Sequence, residues 1–547
     1  MSSILYGLVI IVMLSSIDGN IQLNSFDPSF GKAVQPQSVG SPWPMPQVIT
    51  TTPVTCKLAD QSSFRFYQKT AVSCPVLAQA LVRYKEIVFS QLPKPLAKQS
   101  EKRQEGTDEA PLPLTGLAVS ITDCSELYPS LESLENYTLE VGGNDAVLTA
   151  HSAWGALRGL ETFSQIVYPS AGSLVVNKTS IVDFPRFAHR GYLVDSSRHF
   201  LPVGKLLQFL DAMAYNKMNV FHWHIVDDQS FPYESTTFPF MSEKGAFMSS
   251  YVYSQQDVLN VINYARDRGI RVIPEFDTPG HTQSWGSVPN LLTPCADKTG
   301  KPTGSYGPVN PMLNSTYDFL AKFFKEIASV FPDQYIHLGG DEVNFACWKS
   351  NKDIQAFMTH MGYGQNYSQL EGYYEQRFLD IVEGLKVQPL VWQEVVDNGV
   401  KVGIETVVHV WKTPWQKELF KVTQKGYKSL ISTPWYLSRP DAGGFGQDWR
   451  SIYSVEPLKF NGTQAQKDLV FGGEACMWGE YVDATNLMQR SWPRGCAVAE
   501  RLWSAETVHD VGKAAPRIAE QRCRMLKRGL QAEPVTGPGF CDVPLGP

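Results

Sequence analysis

Beyond Phe184-Pro185-Arg186 the chain settles into a repeating rhythm. A short, nearly unbroken apolar run is followed by a longer stretch whose apolar residues recur every three to four positions. Runs of the first kind read as strands buried on both faces, and stretches of the second kind as amphipathic helices. The strand candidates are 192–195, 219–226, 270–276, 335–338, 389–395, 406–411, 429–436 and 469–475. Helical spacing fills 203–215, 254–268, 316–331 and 368–385, with 495–503 as a closing helix. Eight strands alternating with helices over about 360 residues predict an α/β fold, a (β/α)8 TIM barrel rather than an open sheet. The pattern does not place the helix that should follow the fifth strand, so the strand numbering beyond it can slip by one.

Before that point the rhythm is mixed. Short strands at 137–141, 145–149 and 173–177 stand beside a helical stretch at 76–92, which predicts a small α/β domain over 46–182 ahead of a barrel domain over 183–547. Residues 20–45, rich in Ser, Pro and Gly, read as a loose lead-in. Residues 93–113 are charged, proline-rich and aperiodic, the signature of a surface loop open to proteolytic nicking.

The apolar run 4–14, followed by Ser15, Ser16 and Gly19, has the length of a secretory h-region and is too short to span a bilayer, so 1–19 reads as a signal peptide. Its n-region lacks Lys and Arg. No later stretch reaches 18 uncharged apolar residues, so no transmembrane segment is expected. Five Asn-X-Ser/Thr sequons, at Asn136, Asn177, Asn314, Asn366 and Asn461, agree with luminal passage. Oxidising transit permits disulfides, and the nine cysteines leave at least one without an intramolecular partner. Candidate pairs are Cys74–Cys124, Cys295–Cys347 and Cys523–Cys541, leaving Cys56, Cys476 and Cys496 free; spacing alone does not decide the pairing. No Cys-x-x-Cys or His-x-x-x-His spacing occurs, so no metal site is expected.

A 547-residue chain that is 43% hydrophobic and 19% charged is an ordinary globular one with room for two domains. A formal net charge of −6 gives no reason to expect nucleic-acid binding. Thirteen Trp and 23 Tyr are plentiful, and flat aromatic faces suit sugar rings, although most such residues simply fill cores.

Chemistry concentrates where the strand 335–338 runs into Gly339-Gly340-Asp341-Glu342. The glycines permit a sharp turn and a close ligand approach. Neighbouring side chains on a strand point to opposite faces, so both acids reach one pocket only where the strand ends. Two acids held that close cannot both ionise freely, and one pKa should rise toward that of a proton donor. A lone Asp-Glu is more often a polar strand end; after Gly-Gly on a buried strand the catalytic reading is stronger. In a barrel the chemistry sits at the C-terminal ends of strands. Residues falling there include Arg198, Asp227, Asp228, Glu275, Asp277, His281, Asp341, Glu342, Trp392, Glu394, Trp411, Tyr436, Trp478 and Glu480. Each alone is commonly structural, and their shared placement is the argument.

Five blocks in order carry a resemblance. They are Arg190-Gly191 through Asp195-Ser196-Ser197-Arg198-His199, His222-Trp223-His224-Ile225-Val226-Asp227-Asp228, Phe276-Asp277-Thr278-Pro279-Gly280-His281, the run 337–343, and Gly473-Glu474-Ala475-Cys476-Met477-Trp478-Gly479-Glu480. Over about residues 43–541 the chain resembles the family 20 glycoside hydrolases, the β-N-acetylhexosaminidases, most of all the lysosomal hexosaminidase subunits of animals. The resemblance implies a catalytic TIM barrel behind a small α/β domain. It implies exo-hydrolysis of terminal β-linked N-acetylglucosamine or N-acetylgalactosamine by a retaining, substrate-assisted route, in which the sugar's own acetamido oxygen attacks the anomeric carbon. No cofactor is implied.

By the same resemblance Glu342 is the general acid/base, Asp341 steers the acetamido N–H, and Tyr436 hydrogen-bonds the acetamido oxygen. Trp392, Trp411 and Trp478 are the aromatic walls, Arg198 and Glu480 grip the non-reducing hydroxyls, and Asp227 and His281 support the acid/base. Arg439, after Ser438, resembles a basic residue used toward sulfated sugars. The alternative is a surface turn in which Arg439-Pro440-Asp441 forms a local ion pair. The loop 296–304 is long, as in subunits that engage a lipid-presenting activator protein, but its sequence differs. Glycan substrates, a homodimer and a lysosomal or secreted destination complete the expectation. Two rival readings stand beside it: a conventional retaining glycosidase with Glu275, Asp277 or Glu394 as nucleophile, and a catalytically dead glycan-binding barrel.

Overall fold

The computed structural model describes residues 38–92, 111–433, 435–438, 448–535 and 541. The leader at 1–19, most of the loop 93–113, and Arg439 with its turn lie outside the described residues.

The first part of the chain forms a mixed sheet of eight strands: β1 (Val48–Leu58), β2 (Arg65–Gln68), β3 (Leu112–Leu114), β4 (Gly116–Ile121), β5 (Tyr137–Val141), β6 (Asp145–Ala150), β7 (Tyr168–Ser170) and β8 (Ser173–Asp183). Their order is β2-β4-β6-β5-β8-β1-β3, with β7 on β8. Strand β5 alternates buried Tyr137, Leu139 and Val141 with exposed Thr138 and Glu140, as a strand covered on one face should. The helix Pro75–Phe89 agrees with the expected one. The helix Ala153–Ile166, capped by Ser152 Oγ accepting from Gly155 N, has no exposed face at all. Sandwiched between sheet and barrel, it carries Arg158, Glu161 and Gln165 inside, which erases the amphipathic stripe that sequence reading relies on.

The contact between sheet and barrel is ionic at its centre. Glu135 is buried, with Oε1 2.7 Å from Arg158 Nε and both oxygens 2.7 Å from Arg190 Nη2. Arg158 also donates to the carbonyls of Arg268 and Gly269, and Lys217 Nζ lies 2.7 Å from Asp183 Oδ2. The expected loose lead-in is corrected here. Trp43 is fully buried, its backbone N–H donating to Gln165 Oε1 and its indole to the Cys496 carbonyl.

The second part is a closed barrel. Its strands are β9 (His189–Asp195), β10 (Val220–Val226), β11 (Arg271–Phe276), β14 (Tyr335–His337), β15 (Gln388–Trp392), β16 (Val407–Val410), β17 (Lys428–Ile431) and β18 (Val470–Met477). Between β11 and β14, a hairpin of β12 (Leu292–Ala296) and β13 (Pro302–Val309) stands apart from the barrel. All barrel ladders are parallel, and β18 pairs with β9 to close the ring. Each of the eight expected strands has its counterpart. The helix that the pattern could not place is a single turn, Glu394–Asp397, too short for periodicity to reveal. Glu394 therefore stands on that turn and not on a strand. The chain leaves β17 at Ile431, and Tyr436 returns only as an isolated bridge to Cys476. After Arg494–Trp503 a further helix, Val511–Lys527, closes the fold.

Three disulfides join Cys74 to Cys124, Cys295 to Cys347 and Cys523 to Cys541, while Cys56, Cys476 and Cys496 are free and buried. Among the described residues no helix is long and apolar enough to cross a membrane.

Candidate active site

Strand β14 is only three residues long, and the turn that ends it is forced by its surroundings. Gly339 and Gly340 have φ of +75° and +97°. A β-carbon on Gly339 would stand 1.6 Å from Asp277 Oδ1, and one on Gly340 would stand 2.4 Å from Val395 Cγ2. Only glycine fits either place. Glu342 itself is held at φ +49°, a strained conformation for a side chain of its kind and a mark of functional turns. The turn sends the two acids in different directions: Asp341 is buried, whereas the Glu342 side chain is 59% exposed.

The acid that pairs most closely with Asp341 is Asp277, from the end of β11. Burial pushes the carboxyls of both upward; the negative charge of Asp341 adds to the rise at Asp277, and Glu275 and Glu342 add to that at Asp341. Oxygen atoms of the two lie within 4.8 Å of each other and of a His281 ring nitrogen, so each carboxyl disfavours a charge on the other while the imidazole favours it. Glu342 is the weakest of the named influences on Asp341. Proximity in the chain pairs Asp341 with Glu342, but Asp277 faces Asp341 from a different strand end.

Glu342 Oε2 faces His281 Nε2 at 3.7 Å, and His281 Nδ1 lies 3.2 Å from Asp227 Oδ1. Asp227 Oδ2 in turn receives Arg198 Nη2 at 2.7 Å, while Arg198 Nη1 lies 3.0 Å from Asp195 Oδ2. Burial opposes a charge on His281, yet the carboxylates of Asp277, Asp227 and Glu342 outweigh it and keep the ring protonated. Against the cost of its burial, His224, His281 and Arg198 hold Asp227 well below the usual carboxylate range.

On the other side of Asp341 the aromatic residues gather. Trp411 and Tyr436 lie with ring centres 6.2 Å apart, Tyr436 and Trp478 6.3 Å, and Trp478 and Trp392 6.0 Å. Trp392 donates its indole N–H to Glu275 at 2.7 Å, and Trp411 donates to Glu394 at 2.9 Å, so each ring is fixed by a carboxylate behind it. Burial raises the Tyr436 hydroxyl, and nearby Cys476 and Asp341 raise it further, which keeps it a neutral donor. The Arg198 guanidinium sits 5.2 Å from the Trp478 ring centre, and exposed Glu480 adds its charge to those that favour the Arg198 cation. Apart from Arg439, every expected site residue thus belongs to one strand-end constellation.

Some members were not singled out. His222 and His224 each place both ring nitrogens against carboxylates. His222 faces Glu275 at 3.0 Å and Glu474 at 2.8 Å, and His224 faces Glu275 at 2.6 Å and Asp227 at 2.8 Å. Both are imidazolium as a result, raised to about 9 and about 10 although burial acts the other way. Glu275 also lies 3.2 Å from His337 Nδ1, so it is enclosed by three imidazoles and the Trp392 indole. The ligand atoms of His222, His337 and His409 come within 4.8 Å of one another, as do those of Asp227, Asp228 and His281 and those of Asp277, His281 and Asp341. These groups join separate strands, which no short-range spacing rule could register.

A cleft of about 250 Å³ opens beside Glu342 and His281, lined also by Asp228, Gln283, Tyr306 and Asn344. Its outer wall is the β12–β13 hairpin, pinned by Cys295–Cys347 to the segment just past Glu342. Glu342 therefore borders an open cleft, and the aromatic cluster gathers around Asp341.

An acid at the border of a cleft, beside an aromatic cluster and on a barrel of this kind, defines a glycosidase. Residues 187–506 match the catalytic domain of glycosyl hydrolase family 20, and residues 42–166 match the domain described as beta-acetyl hexosaminidase like. The chain is 52% identical over 512 residues to beta-hexosaminidase subunit alpha of Rattus norvegicus, covering 91% of this chain and 94% of that one. It is 51% identical over 508 residues to beta-hexosaminidase subunit beta of Homo sapiens, covering 91% and 89%. Among solved structures, Flavobacterium johnsoniae chitobiase superposes with a TM-score of 0.76 at 28% identity, over 89% of this chain and 73% of that one. The chain belongs to glycosyl hydrolase family 20 and is a β-N-acetylhexosaminidase.

Proposed function

We propose that Glu342 and Asp341 divide the work of substrate-assisted hydrolysis. Glu342, at the border of the cleft, protonates the glycosidic oxygen as the bond breaks and later takes a proton from the incoming water. Asp341 receives the acetamido N–H and steadies the positive charge that develops as the acetamido oxygen closes on the anomeric carbon. The Tyr436 hydroxyl donates to that oxygen and sets its line of attack. The nucleophile comes from the sugar, so the site needs no second free carboxylate facing the anomeric carbon. The observation that carries this reading is the divergence of the two acids. Asp341 turns inward beside Tyr436, whose hydroxyl feels its charge, and Glu342 turns toward the cleft that would take the leaving group.

Trp392, Trp411 and Trp478 wall the N-acetyl sugar, Arg198 and Glu480 hold its non-reducing hydroxyls, and Asp227 with His281 supports Glu342. A grip on the terminal hydroxyls by Arg198 and Glu480 would favour cutting from chain ends. We also infer a homodimer, entry into the secretory pathway with a lysosomal or extracellular destination, and tolerance of sulfated sugars through Arg439. An activator protein that presents lipid substrates would meet the 296–304 loop. Relatives named as alpha and beta subunits support an assembly of two such chains.

The test is a panel of chromogenic β-N-acetylglucosaminide, β-N-acetylgalactosaminide, 6-sulfated and β-glucoside substrates assayed across pH. The first two should be cleaved at acidic pH and the glucoside left intact. Cleavage of the glucoside at a comparable rate would refute participation by the acetamido group.

A further inference from the structure

Behind the acid-bearing turn lies a carboxyl that the reaction does not use. Glu375, on the helix Tyr367–Gly384, is only 1% exposed, and its Oε1 has no hydrogen-bond partner. That oxygen lies 3.5 Å from where a β-carbon on Gly340 would stand, so it packs directly on the turn that carries Asp341 and Glu342. One helical turn earlier Glu371, also buried, accepts from Asn398 at 2.9 Å. Leu379, Phe378 and Val395 make the rest of this layer apolar.

The groups facing this place from every packed element are predominantly acidic or neutral. Its own helix contributes Glu371 and Tyr374, whose hydroxyl donates to Thr278 at 2.8 Å. Glu371 is the charge that acts on Glu375 directly, Glu394 on the single turn after β15 acts on Glu371, and the turn that Glu375 backs carries Asp341 and Glu342. The cation of the neighbourhood, Lys412, is committed to Glu394 at 2.9 Å. Among the described residues no cation pairs with Glu375, so a charge there would stand uncompensated beside Glu371, a cost large enough to move the residue or the backbone against it.

We propose that Glu375 is a positioning residue for the catalytic turn: its uncharged carboxyl backs Gly340, and loss of its proton loosens the turn, so that the site holds together in acidic surroundings and loosens as pH rises. Burial and the charge of Glu371 both push its carboxyl well upward, consistent with this role. The acid tolerance of the enzyme is thus set partly by a group that never touches substrate.

The Glu375→Gln variant keeps the shape and stays neutral at every pH. Melting temperatures of wild type and variant should coincide near pH 4.5 and separate as pH rises, the variant melting higher by roughly 2–5 °C at pH 7.5. Activity on an aryl β-N-acetylglucosaminide, assayed at pH 5 after incubation at pH 8, should be retained longer by the variant; returning to pH 5 removes the direct effect of protonation on Glu342. A constant gap between the two melting curves, or faster loss by Glu375→Gln at pH 8, would overturn the proposal. A Glu375→Leu variant, equally uncharged, should reproduce the flatter pH dependence even if its overall stability is lower. The melting measurements do not depend on the assignment of Glu342 and Asp341, so failure of one reading leaves the other testable.

Discussion

His281 stands between two carboxylates, with Nδ1 3.2 Å from Asp227 Oδ1 and Nε2 3.7 Å from Glu342 Oε2. The ring is held protonated because the acids around it outweigh the cost of its burial, so it presents an N–H to Glu342 throughout the acidic range. Asp227 orients it, and Arg198 orients Asp227. Removing the ring in His281→Ala should lower kcat about 10–100-fold while KM moves little, since positioning partners of this sort commonly carry that much. Steady-state kinetics on an aryl N-acetylglucosaminide measures the split.

Loss of the acid itself should be more severe. Glu342→Gln keeps the shape of the turn but has no proton to give, and kcat on an unactivated disaccharide should fall about 10²–10⁴-fold. A substrate whose leaving group needs no protonation should lose far less. Equal losses on both substrates would point to a structural defect instead.

Product configuration should separate a two-step route from a one-step one, and Tyr436 should report on the contact with the acetamido oxygen. If the acetamido oxygen attacks, the first product seen by proton NMR carries the β configuration, and Tyr436→Phe lowers kcat by about 10²–10³-fold, as loss of one preorganised donor commonly does. An α-configured first product would exclude a two-step route.

The barrel interior should lose stability as pH rises above neutrality. Burial, with the charge of Glu394 added at Glu371 and that of Asp341 at Glu394, raises both carboxyls to about 7. A carboxyl raised in the fold stabilises it fully below its ordinary range and loses that contribution as pH climbs to the raised value. His222 and His224, raised to about 9 and about 10 by their carboxylates, stabilise fully below the ordinary imidazole range and lose it as pH passes through those values. His189, His337 and His409, which burial holds neutral, act the other way below the ordinary imidazole value, since acid must charge them. The two trends share one sign only above it, so thermal melts should fall from about pH 6.5 to 9.

The joint between sheet and barrel offers a separate check. Glu135→Ala would leave Arg158 and Arg190 buried without their shared anion, at a cost of about 3–5 kcal/mol, the range typical when one partner of a buried pair is removed. Urea denaturation of the variant against wild type measures it. A loss under about 1 kcal/mol would mean that water or backbone carbonyls take over the pairing.

The sequence by itself determined the eight barrel strands, the glycine-flanked acids and the family, because those features are local. A two-faced buried strand is a run of apolar residues, and a sharp turn needs glycine where a β-carbon cannot fit. It could not determine which acids face each other. Asp341 lies next to Glu342 in the chain but pairs with Asp277 from another strand, since the side chains of adjacent residues diverge at a turn while strand ends converge on the barrel axis. Nor could it give the imidazolium–carboxylate lattice of His222, His224, Glu275 and Glu474, or the unpartnered Glu375 behind Gly340. Each of these depends on which surfaces close over a charge, and burial of that kind exists only once the barrel has closed.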